Sequence, residues 1–106
     1  MADKVFKVGI LNSVNKRINK MTPMRKKRYK AAINMLLTYN IEELERRERI
    51  TKLKNDTYLY RVGISGRLLF AEREDMRVVL EAGTNDEILR RLNLKAAEHI
   101  QNKAEQ

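Results

Sequence analysis

The chain has 106 residues, enough for one hydrophobic core and therefore one domain, 1–106, but not for a second core. It has no cysteine, which excludes disulfides, thiol catalysis and thiolate metal sites, and its single histidine, His99, excludes a histidine pair. The net charge is +9, and it is segregated: residues 1–54 hold 15 Lys/Arg and 5 Asp/Glu, against 8 and 9 in residues 55–106.

A field of that kind attracts phosphate backbones, acidic proteins or anionic lipid, and nucleic acid comes first because counterion release makes basic patches bind it generically. No apolar run approaches the ~20 residues of a membrane span, and the opening MADKVFKV lacks the apolar stretch of a signal peptide. A soluble, cytoplasmic protein with no membrane partner is expected.

In chain order, VFKVGIL (5–11) predicts a first strand, rich in β-branched and aromatic residues. Asn12 and Ser13 are good helix caps, and Val14, Ile18 and Met21 follow at helical spacing. Thr22-Pro23 breaks that helix and starts the next, with Pro23 in its first turn. The second helix runs to about Tyr39, with an apolar stripe of Met24, Ala32, Ile33, Leu36 and Leu37, and Asn40 is placed to end it. Its other face is MRKKRYK, where Arg25, Lys26, Lys27, Arg28 and Lys30 crowd together beside Lys16, Arg17 and Lys20 of the first helix. These eight residues are the candidate nucleic-acid contacts, although such a run also makes an ordinary solvated face.

IEELERRER (41–49) favours a short helix in which Glu42, Glu43, Glu45 and Glu48 are expected to pair with Arg46, Arg47 and Arg49. Residues 50–55 are a connector or short strand. From Thr57 to Ile64 apolar residues alternate: Tyr58, Tyr60, Val62 and Ile64 on one face, Leu59 and Arg61 on the other. Ser65-Gly66 makes a turn, 67–73 and 77–82 predict two further strands, and Gly83 closes the last. Thr84 with Glu87 forms a capping box that opens a C-terminal helix reaching to about Asn102.

Helices followed by strands predict an α+β domain: an N-terminal strand and helical hairpin packed on an antiparallel sheet, then a C-terminal helix. Whether Arg61 and Arg67 share a face depends on the hairpin register, because a slip of one residue reverses the answer. No Gly-rich phosphate loop and no metal-binding cluster is present, so no cofactor is expected.

The stretch KLKNDTYLYRVGISGRLLFAEREDMRVVLEAG resembles the RelE/ParE superfamily of bacterial toxins: a K-L-K connector, an aromatic strand ending in R-V-G, an arginine opening the next strand, then a V-V-L strand. The resemblance covers roughly residues 5–88. It implies a RelE-like fold and the toxin of a type II toxin–antitoxin system, silenced by a cognate antitoxin. RelE-like members bind the ribosome and cleave messenger RNA during translation, without metal. ParE-like members inhibit DNA gyrase without cutting RNA. A RelE-fold nucleic-acid-binding or partner-binding module without toxicity is a third reading.

By position the resemblance carries catalytic roles to Lys52, Lys54, Arg61 and Arg67, as phosphate ligands and stabilisers of transition-state charge. After Gly83 the RelE-like pattern has basic residues and a tyrosine. This chain has Thr84-Asn85-Asp86-Glu87-Ile88, with Arg90 and Arg91 standing one turn further along to reach back.

Overall fold

A computed structural model describes residues 6–92. Its elements are β1 (Val8–Ile10), α1 (Asn12–Asn19), α2 (Pro23–Thr38), α3 (Ile41–Arg46), β2 (Ile50–Lys52), β3 (Thr57–Val62), β4 (Gly66–Glu72), β5 (Arg77–Thr84) and a helix, α4, over residues 85–92. The expected extension of α4 towards Asn102, and His99 on it, lie outside the described residues. So does the start of the predicted first strand, of which only Val8–Ile10 are paired.

The five strands form one sheet in the order β1-β5-β4-β3-β2, with β1 parallel to β5 and every other pair antiparallel. Between the edge strands β1 and β2 the chain crosses the sheet through α1, α2 and α3. That crossover lays the helices on one face. The result is the α+β architecture expected, and no helix among the described residues is long and apolar enough to cross a membrane.

Several local signals act at places other than those predicted. Leu11, not Asn12 or Ser13, is the N-cap of α1, and no side chain caps that helix. Thr22 caps α2 as expected, its hydroxyl accepting from the Arg25 N–H at 3.4 Å. Asn40 does not end α2 but starts α3, its side chain accepting from the Glu43 N–H at 2.8 Å. The buried stripe of α2 is Tyr29, Ala32 and Leu36, while Met24 is 66% exposed. Met24 precedes Tyr29 by five residues, which places it about 140° round the helix from that residue. Ile64 stands outside β3 at the hairpin tip, 98% exposed.

The core joins Val14, Ile18, Tyr29, Ala32, Leu36 and Leu44 from the helices to Tyr58, Tyr60, Val62, Leu68, Phe70, Val79 and Ala82 from the sheet. Tyr58 and Phe70 stand directly opposite each other across β3 and β4 and stack with ring centroids 5.4 Å apart. The reverse face of the sheet is not left open: Leu69 and Ala71 on it are also buried, as is Ile88 of α4, all outside the helix-side core.

One irregularity decides which residues of β5 point where. Leu69 pairs with Glu81 and Phe70 with Val79, so Leu80 is an extra residue in β5. Such a bulge inverts the alternation that follows it. Val79 and Ala82 therefore both enter the core, while Glu81 and Gly83 fall on the reverse face.

Candidate functional site

The β3–β4 register pairs Arg61 directly with Arg67, so the two arginines share the reverse face. Arg67 in turn stands opposite Gly83 of β5. Gly83 has no side chain, and the space above it is filled from α4: the Nη1 of Arg91 lies 3.5 Å from where a Cβ would stand on Gly83. Arg61, Arg67 and Arg91 thus form a row across three strands at the hairpin end of the sheet, one strand spacing of about 4.8 Å per step. Arg91 does reach back from the helix.

The three arginines are held differently. Arg91 donates to Glu81 Oε2 at 2.9 Å and to the Ala82 carbonyl at 3.3 Å, and it pairs with Glu87 at 3.5 Å. Arg67 folds back on its own hairpin, donating to the carbonyls of Gly66 at 2.7 Å and Ile64 at 3.2 Å. Its charge has no carboxylate partner among the described residues. Arg61 is exposed, and its guanidinium makes no hydrogen bond or ion pair there. Positive charge is therefore least compensated at the Arg61–Arg67 end.

The capping box predicted from the sequence braces the other end. The Thr84 N–H donates to Glu87 Oε1 at 3.0 Å, and the Glu87 N–H donates to the Thr84 hydroxyl at 3.2 Å. The backbone hydrogen bond from Thr84, then its side chain, hold the Glu87 carboxyl below the usual range, with Arg91 and Arg25 adding to the effect. Arg17, placed by the sequence among the nucleic-acid contacts, turns inward: its Nη1 donates to Glu81 Oε2 at 3.0 Å.

Tyr29 positions the basic helix against this end of the sheet. Its hydroxyl donates to the Gly83 carbonyl at 2.5 Å across a buried contact. Arg25 and Arg28 are thereby brought to the hairpin tip, where they line a 360 Å³ cleft with Ser65, Gly66 and Thr84. Lys16, Lys20, Lys27 and Lys30 are exposed and Lys26 partly so, on the outward surfaces of α1 and α2.

Lys52 and Lys54 are not part of the row. Lys52 stands opposite Tyr58, so it lies on the helix-facing side of the sheet, three register steps from the pair that holds Arg61. Those three steps are about 10 Å along β3. Lys54 is exposed in the loop beyond β2. Tyr58 and Tyr60 are core residues, 6% and 4% exposed, as their place on the apolar face predicted. Burial pushes the Tyr60 hydroxyl above its ordinary value, against the pull of Arg49 and Arg47.

The architecture has known counterparts. The chain is similar to a chain of the archaeal RelE–RelB complex from Pyrococcus horikoshii OT3, at 16% identity and a TM-score of 0.58, over 76% of this chain and 94% of that one. It is also similar to a chain of the toxin–antitoxin complex RelBE2 from Mycobacterium tuberculosis, at 19% identity and a TM-score of 0.51, over 76% of this chain and 99% of that one. The fold is RelE-like. The likeness that the K-L-K to V-V-L stretch carries at the level of sequence is matched at the level of architecture. No family model matches the chain, and no curated protein does.

On this RelE-like frame the row has the chemistry of an anion ligand. A guanidinium presents a planar fork of donors that fits two phosphate oxygens at once. It stabilises negative charge but carries no exchangeable proton near neutral pH. The row can hold a phosphate and favour charge developing on it; acid–base work needs another group.

Sequence reasoning missed three residues here. Tyr29 was hidden in a run of basic residues. Glu81 was hidden by the bulge. Arg49 was assigned to a helix that ends before it.

Proposed function

We propose that this protein is the toxin of a type II toxin–antitoxin system, a RelE/ParE-superfamily member that acts in the cytoplasm as a single domain. Its target in this reading is RNA on the ribosome, and its antitoxin is the partner that silences it. The RelE-like fold and the basic N-terminal half support this. The observation that carries the RNA target is the pairing of Arg61 with Arg67 on one face, at the least compensated end of the arginine row. Arg61 and Arg67 are the phosphate ligands; Lys16, Lys20 and the exposed basic residues of α2 supply docking; Lys52 and Lys54 contribute charge from the other end of the sheet.

A second reading is favoured by the chemistry of the row. Guanidinium groups bind without transferring protons, and the two tyrosines nearest in sequence to Arg61 are buried. A ParE-like inhibitor of a protein target such as DNA gyrase would need binding alone.

The test is induced expression in a bacterial host, with and without Arg61→Ala and Arg67→Ala, while cleavage ends are mapped on a translated reporter messenger RNA. Growth arrest with cuts that disappear in the variants is the expected result. Arrest without cuts transfers the reading to gyrase, checked by a supercoiling assay. No arrest at equal protein levels overturns both.

A further inference from the structure

A second cleft adjoins the one at the hairpin tip. It measures 320 Å³, is floored by Ala31, Ala32, Met35 and Val62, and is bordered by Arg28, Arg49 and Arg61. The two clefts share Arg28 and Val62, so they form one groove between α2 and the end of β3. Among the described residues no carboxylate lines either part. Arg25, Arg28 and Arg49 make no ion pair there, whereas Arg17, Arg46, Arg47, Arg77 and Arg91 each pair with a carboxylate.

Arg49 owes its place to a break in the helix. It was expected to pair with the acidic residues of α3. Instead Glu43 takes both Arg46, at 2.8 Å, and Arg47, at 3.0 Å. α3 ends at Arg46, and Glu48 adopts a left-handed conformation with φ of 57°. That turn leads the chain out of the helix and delivers Arg49 to the groove, its carbonyl accepting from the Arg61 N–H at 2.8 Å. At the opposite end, Arg28 Nη1 lies 3.9 Å from the Cβ position of Gly63, and Ile64 stands almost wholly in solvent on the hairpin tip.

We propose that this groove is a track for single-stranded RNA. Arg25, Arg28 and Arg49 take successive phosphates, the apolar floor takes base faces, and Ile64 at the tip is a wedge against an unstacked base. Cationic groups along a backbone path beside an apolar floor are what a single strand requires. The inference rests on the RNA-directed reading above and adds to it a binding surface on the helix side of the sheet, which meets the reverse-face row at Arg61.

The test is fluorescence anisotropy of a labelled single-stranded RNA of mixed sequence over a salt series. The expected result is that Arg28→Ala and Arg49→Ala each weaken binding roughly tenfold. Each should also flatten the dependence of log Kd on log salt by roughly 0.7. Ile64→Ser should weaken binding with the salt slope unchanged. Lys27→Ala and Lys30→Ala, which remove the same charge from the same helix but line neither cleft, should do less.

Equal losses in the lysine variants, or full binding by Arg28→Ala and Arg49→Ala, overturn the track. So does displacement of the RNA by polyglutamate whose own binding needs these arginines, which assigns the groove to an acidic protein segment. All of these residues are exposed, and circular dichroism of each variant separates lost contact from lost fold. Protein that arrests growth yet binds RNA undiminished without Arg28 and Arg49 overturns the track alone. RNA held through those arginines by a protein that arrests nothing overturns the toxin reading alone.

Discussion

Arg77 is the arginine that this small domain buries, at 1% exposure. Its Nη1 donates to the carbonyls of Leu36 and Tyr39, both at 2.6 Å, where α2 runs out of helical partners. Its Nε pairs with Glu72 at 3.0 Å. Nη2 is buried without a hydrogen-bond partner, and the face of Phe6, 3.9 Å from the guanidinium carbon, compensates it in part. Arg77→Ala should therefore cost about 3–5 kcal/mol, because it strands Glu72 and two helix carbonyls together. Urea unfolding measures this, and a loss under about 1 kcal/mol would show that the network contributes little. Tyr29→Phe is a milder case. It removes only the hydroxyl that donates to Gly83, for an expected loss of about 1–2 kcal/mol by the same method. It should also loosen α2 from the hairpin tip and so weaken RNA binding more than its stability cost implies.

Two elements owe their alignment to a single residue or pair. Deleting Leu80 removes the bulge, and simple alternation then keeps Val79 and Ala82 in the core with Glu81 on the reverse face. The expected outcome is a chain that keeps a cooperative thermal transition. Loss of that transition would show that β5 needs the bulge itself to hold its register. At the start of α4, the Thr84–Glu87 capping box makes a pH prediction. The Glu87 carboxyl is lowered in the folded chain, so its contribution is present above the ordinary glutamate range and is lost as pH falls through the lowered value. The Glu87 side chain is 45% exposed, so the effect is small. Melting temperature followed into acid should fall less steeply in Glu87→Gln than in the wild type, and parallel curves would remove the assignment. Tyr60 acts at the other extreme. Its raised hydroxyl contributes stability that is present below the ordinary tyrosine range and lost as pH rises beyond it.

At the scale of the whole molecule, one helix-side core spans α1, α2, α3 and three strands, which predicts a single cooperative unfolding event. Tyrosine fluorescence, reporting Tyr29 and Tyr39 on and just beyond α2 and Tyr58 and Tyr60 on β3, should follow the same denaturant curve as far-ultraviolet circular dichroism. Two separated curves would mean two cooperative units. Element type and order were legible in the sequence because each rests on neighbours along the chain. Thr22-Pro23 starts α2, alternation from Tyr58 to Val62 makes β3, and Thr84 with Glu87 opens α4. The charge segregation was equally a property of the sequence, as was the absence of thiols. What the tertiary structure decided is everything that depends on residues far apart in the chain. The β3–β4 register put Arg61 and Arg67 on one face, and the β2–β3 register left Lys52 on the other. The bulge at Leu80 turned Glu81 outward to hold Arg17 and Arg91. Tyr29, apparently one more member of a polar run, became the buried link between α2 and β5. Periodicity reports which side of its own element a residue occupies; only packing determines what that side meets.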